Sequence, residues 1–169
     1  MKNLTRSTAV LGAAGLIAAG LATAPAANAA GNIFQIKVTE VQTDYEDDFS
    51  GTPEAGDSFE WTSNLRQNGD RVGKDRGECK FVRIVEDDDD DPIEAVLRCT
   101  VRYQFFDTGT IRASGKVRID WDDLEDQDFD VKLPVRDGTG DFDDAGGTVR
   151  NQQINDSKAR LTFRLTGVR

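Results

Sequence analysis

From residue 33 onward apolar and polar side chains alternate, and no other property of this 169-residue chain constrains its fold as strongly. A period of two sends successive side chains to opposite faces of a strand, whereas an amphipathic helix needs a recurrence near 3.6. Phe34, Ile36, Val38 and Glu40 share one face of a first segment, and Phe59, Trp61 and Ser63 one face of a second. Cys79 and Phe81 mark a third. Ala95, Leu97, Cys99, Val101, Tyr103 and Phe105 form a long fourth, with Arg98, Thr100, Arg102 and Gln104 opposite. Ile111 through Trp121 repeats the pattern, as do Phe129, Val131, Leu133 and Val135. A weaker seventh segment lies near Thr148 to Ile154, and Leu161, Phe163 and Leu165 make the eighth. Turn signals separate them: Gly51-Thr52-Pro53, Asn68-Gly69-Asp70, Asp87 to Pro92, Asp107-Thr108-Gly109 and Asp137-Gly138-Thr139-Gly140. The pattern predicts an all-β domain, an eight-stranded antiparallel up-and-down β-barrel. A two-sheet sandwich is the alternative, disfavoured because no long crossover is visible. At eight strands the interior is either filled or just wide enough for one small ligand.

The first 29 residues read differently. Lys2 and Arg6 precede an apolar run from Ala9 to Leu21, and Ala27-Asn28-Ala29 has the small-x-small form of a cleavage site. This is the pattern of a secretory signal peptide over 1–29, leaving 30–169 as one barrel domain and predicting a secreted protein. An uncleaved anchor helix is the alternative. The formal charge of the whole chain is −10, and loss of the signal's two basic residues leaves 31 acidic against 19 basic side chains. Such an acidic surface is repelled by nucleic acid and by anionic membranes, so neither is an expected partner of the mature domain. The chain has no histidine and only two cysteines. Histidine triads, histidine general bases and four-thiolate metal sites are thereby excluded.

Cys79 and Cys99 lie equidistant from Asp89, the centre of the acidic run Asp87–Asp91. If that run is the loop of an antiparallel hairpin, the two cysteines face each other and a disulfide is expected in an exported chain. A pair of free, buried thiols is the alternative. A nucleophilic role is disfavoured, since no histidine is present to activate a thiol. Three stretches, 87–91, 122–130 and 137–144, are rich in carboxylates, but none has the spacing of a calcium loop, so no metal site is expected and the stretches read as solvated loops. Gly138 and Gly140 are expected to supply positive φ where the chain reverses after the sixth strand.

Four blocks in order resemble the allene oxide cyclase barrel superfamily, which includes dirigent proteins and exported bacterial members. They are Gly56-Asp57-Ser58-Phe59-Glu60-Trp61-Thr62-Ser63, Val72-Gly73-Lys74-Asp75-Arg76-Gly77-Glu78-Cys79, Phe105-Phe106-Asp107-Thr108-Gly109-Thr110-Ile111 with Ser114-Gly115, and Val135 through Gly147. The resemblance runs from about residue 33 to 167. The chain departs from the pattern in Arg136-Asp137-Gly138, where the family has threonine and two glycines, and in the unusually acidic 87–91 run.

The resemblance implies a barrel that takes in a hydrophobic small molecule and uses no cofactor. Allene oxide cyclases bend a reactive epoxide so that it closes to one stereoisomer, with a strand-one carboxylate stabilising the delocalised cation. Glu40 matches that carboxylate, and Gln42 stands where the family has an asparagine. Phe59 and Trp61 match pocket residues, Ser63 replaces a water-binding asparagine, and Cys79 matches a pocket-lining cysteine. Tyr103 and Phe105 join Gln42, Phe59, Trp61 and Ser63 as candidate substrate contacts, with a filled core as the alternative for the aromatic ones. Glu40 could instead face solvent at a strand end. Burial beside apolar groups would raise its pKa. Three functional readings follow: an isomerase or cyclase acting alone, a dirigent-like protein that orients another enzyme's reactive product, or a filled barrel without ligand. Plant members form trimers, so the resemblance admits a homo-oligomer.

Overall fold

A computed structural model describes residues 33–169; the signal-peptide segment lies outside these residues. Eight strands follow one another in chain order: β1 Phe34–Asp47, β2 Ser58–Gln67, β3 Asp70–Glu86, β4 Pro92–Phe105, β5 Gly109–Asp120, β6 Asp130–Gly140, β7 Gly146–Asn155 and β8 Lys158–Thr166. Each pairs antiparallel with its sequence neighbour, and β8 returns to β1, where Val38 lies opposite Leu161. The sheet therefore closes as an up-and-down barrel, and the two-sheet alternative is excluded. Closure leaves no unpaired edge along the ladder of β1 and β8.

The interior divides into two zones along the axis. One end is solid. Phe105 packs edge-on to Phe163 with centroids 5.4 Å apart, Phe142 closes on Phe105 at 5.5 Å, and Leu65, Ile111, Leu161 and Leu165 fill the space around them. Phe142 comes from the β6–β7 turn, which folds under the barrel like a stopper. The opposite end carries the 48–57 loop, the 87–91 loop, the segment between β5 and β6, and the short β7–β8 turn.

Two local features differ from the sequence expectation. Trp121 does not end the fifth strand but starts a five-residue helix, α1 (Trp121–Glu125). Its indole N–H donates to Glu125 one turn on, at 2.8 Å, and Asp122 and Asp123 sit where the first turn's unpaired N–H groups favour negative charge. So short a helix leaves no periodicity to read. The second difference is at Asp137–Gly140, which continues β6 instead of forming a turn. Gly140 has the expected positive φ of 66°, but Gly138 does not; it is needed because a side chain there would overlap the Phe142 backbone folding back beneath it.

The 87–91 loop is tied by its own first residue. One carboxylate oxygen of Asp87 accepts the backbone N–H groups of Asp89 and Asp91 at 2.9 and 3.0 Å. Among the described residues no group of three or more histidines, cysteines or carboxylates is placed to hold a metal ion.

Candidate functional site

The open end leads into a cavity of about 710 Å3, so the interior above the plug is hollow. Its walls are mostly aromatic and aliphatic. Trp61, Phe59 and Phe81 contribute from β2 and β3, Tyr103 from β4, and Trp121 and Phe129 from α1 and the end of the segment leading to β6. The Cys79–Cys99 disulfide forms part of the wall. The two residues are directly opposed in the β3–β4 ladder with Cα atoms 4.1 Å apart, as the hairpin reading required, and no cysteine is free.

Glu40 lies on this cavity and is only 6% exposed, so it does not face solvent at a strand end. Three side chains hold it. Trp61 Nε1 and Ser63 Oγ donate to Oε1 at 2.9 and 3.0 Å, and Asn151 Nδ2 donates to Oε2 at 3.3 Å. The donors sit on β2 and β7, the second and seventh strands, which reach the acid from opposite sides of β1 and β8. Gly77 makes the Trp61 contact possible. It lies directly across the ladder from Trp61, and a Cβ there would overlap the indole ring.

A second acid stands beside the first. Asp75 of β3 is opposite Ser63 on one side and Tyr103 on the other, is 3% exposed, and has both carboxylate oxygens buried without a hydrogen-bond donor. Burial raises the pKa of Glu40, against the pull of its donors. Burial, and then the charge of Glu40, raises that of Asp75 well above the usual range. Ser63 and Trp61 pull Asp75 down as well, but burial and the charge of Glu40 outweigh them, so of the two acids Asp75 is the one that holds a proton more readily. Tyr103, fully buried beside the same two acids, is held in its phenol form far into alkaline pH by burial and by their charge. The four ion pairs among the described residues are all on the outer surface and none involves either acid.

The residues singled out from sequence separate into three groups. Glu40, Gln42, Phe59, Trp61 and Tyr103 all line the cavity. Ser63 reaches the site by anchoring Glu40. Phe105 lies below, in the plug with Phe142 and Phe163, where the filled-core reading of that residue holds. Sequence reasoning missed Asp75 and Asn151. Both follow from parity: Asp75 is in step with Cys79 and Phe81, and Asn151 is in step with Val149.

No protein-family model matches the sequence, and no curated protein matches it by sequence comparison. Solved structures do match in shape. The chain superposes with a pyocyanin demethylase at a TM-score of 0.65 and 18% identity, over 79% of this chain and 100% of that one. It has the fold of the allene oxide cyclase and dirigent-type barrels. AbnU, described as an exo-specific intermolecular Diels-Alderase, matches at 0.62 and 18% identity, over 80% and 98% of the two chains. A pterocarpan synthase dirigent protein matches at 0.54 and 13% identity, over 79% and 88%. The shared barrel supports different chemistries, so what this chain does is decided by its own site.

Proposed function

We propose that this protein is a secreted barrel that takes one hydrophobic small molecule into its cavity and acts on it, without a cofactor, as an isomerase or cyclase. The observation that carries the reading is a buried carboxylate, Glu40, fixed by three donors on the wall of an aromatic-lined hollow of about 710 Å3. A cavity of this volume is in the range of small-molecule sites. Its apolar walls hold a flexible substrate in one shape, which removes much of the entropy cost of ring closure. Positive charge that develops on the folded substrate near Glu40 is stabilised by about 4 kcal/mol at 4 Å and an effective dielectric constant near 20, or roughly a thousandfold in rate. Because Trp61, Ser63 and Asn151 already hold the carboxylate in place, little reorganisation accompanies the reaction. The signal-like pattern of residues 1–29 supports export.

The likeness to a dirigent protein favours a second reading, in which the same pocket orients a reactive molecule released by a separate oxidase. Turnover separates the two. Purified protein incubated with a reactive epoxide or polyene converts it alone under the first reading. Under the second it only biases an oxidase's stereoisomer ratio. Under the first, Glu40→Gln keeps the fold and loses the conversion; an unchanged rate in that variant removes Glu40 from the mechanism.

A further inference from the structure

We infer that the ligand of this cavity is a compact hydrophobic cation, whose charge takes the place of the proton that Glu40 and Asp75 share. The inference rests on the reading of the cavity as a small-molecule site and names the chemical class that fits it. Glu40 lines the hollow, and behind it the second buried acid, Asp75, has both oxygens without a partner. Native interiors seldom leave such a group unmatched, because each orphaned polar atom is costly. Around the acids the groups on every neighbouring strand are neutral: Trp61 and Ser63 on β2, Tyr103 on β4, Asn151 on β7 and the apolar Ala159 of β8. The charged side chains that line the cavity otherwise, Glu125, Asp156 and Lys158, sit at its mouth and sum to one further negative charge.

The walls match the same ligand. Trp61, Tyr103 and Phe59 present ring faces or edges to the hollow, and aromatic faces attract cations most strongly where water is excluded. A neutral hydrophobic molecule would use these walls but would leave Glu40, which has hydrogen-bond donors but no ion pair, without a counter-charge. An anion would be repelled by it. A quaternary ammonium or a protonated tertiary amine on an apolar ring satisfies both, and its arrival lowers the affinity of the dyad for its proton. Binding therefore expels a proton and tightens as pH rises.

A matched pair of probes tests this: (naphthylmethyl)trimethylammonium, which is permanently charged, and its uncharged carbon isostere, neopentylnaphthalene. Equilibrium dialysis at neutral pH compares their affinities, and calorimetry of the cation in two buffers of different ionisation enthalpy counts protons released. The cation is expected to bind at least about tenfold more tightly, a difference of about 1.4 kcal/mol, and to release close to one proton. Glu40→Gln abolishes the preference for the cation while the isostere still binds. Asp75→Asn keeps the preference but releases no proton, since the shared proton is gone. Equal binding of both probes overturns the inference and leaves the small-molecule site standing. Tighter cation binding with no proton released overturns the exchange with the dyad. Binding of neither probe overturns the inference and the cavity reading together.

Discussion

Replacing Asp75 with asparagine should make the protein more stable at neutral pH, by an amount that grows with pH. An aspartate in the unfolded chain titrates near 3.9. In the folded barrel burial and the adjacent Glu40 hold Asp75 well above that. Between the two values the folded state binds more protons than the unfolded state, so stability falls as pH rises. The contribution is fully present below the unfolded pKa and is lost as pH climbs through the folded one, with a slope of at most about 1.4 kcal/mol per pH unit for one proton. Asparagine cannot ionise, and its amide N–H can donate to Glu40 as the protonated acid does. The variant keeps the contact and removes the slope. The cost that it relieves is that of holding a proton which the unfolded chain has lost, at most about 1.4 kcal/mol for each pH unit above about 3.9. At roughly 2–4 °C per kcal/mol this is a rise of several degrees in Tm. Urea unfolding of both proteins from about pH 4 to pH 8, with the disulfide intact, measures it. Asp48 and Asp130, whose pKa values are lowered by hydrogen bonds from Ser58 and Arg150, slope the other way but cancel in the difference. A difference that stays constant across the range would show that Asp75 does not hold a proton in the folded state. A variant less stable at neutral pH would show that the carboxylate is an anion with partners.

The remaining predictions concern the frame around the site. Reducing the Cys79–Cys99 bridge, which closes a loop of 20 residues' separation, should cost about 3 kcal/mol, read as a lower denaturation midpoint; labelling of the unreduced, unfolded protein should find no free thiol. Gly77→Ala should cost about 1–3 kcal/mol, because the new methyl overlaps the Trp61 ring, and should loosen Trp61 from Glu40, shifting tryptophan emission. Of the two tyrosines, Tyr45 is 46% exposed and Tyr103 only 2%. Alkaline absorbance titration should therefore show one phenolate in the folded protein, with the second appearing only as the barrel unfolds; two phenolates before unfolding would mean that Tyr103 is not sealed.

The fold was legible because an eight-stranded barrel buries one face of every strand, and that face prints a period of two along the chain. Glu40 could be placed inside because it keeps step with Ile36 and Val38, and Ser63 because it keeps step with Trp61. Asp75 escaped for a physical reason. Its inward neighbours are Gly73 and Gly77, which have no side chain to signal a face, so the alternation fades where the second acid enters. Asn151 was hidden in a strand whose inward face is partly polar because it borders the cavity. The division between hollow and plug was not legible either. Tyr103 and Phe105 are adjacent on one face of β4, yet the first lines the cavity and the second lies in the plug. What separates them is Phe142, delivered from a turn 37 residues away by the folding of the β6–β7 connection, a placement that no local pattern encodes.

The most direct test of the account is the electron density inside the barrel of a crystal soaked with neopentylnaphthalene or its cationic counterpart. The expected result is a bound naphthalene ring between Trp61 and Tyr103, above the Phe105–Phe142–Phe163 plug, with the cationic head of the charged probe turned to Glu40. A barrel whose side chains close the hollow, leaving no room for either probe, would contradict it.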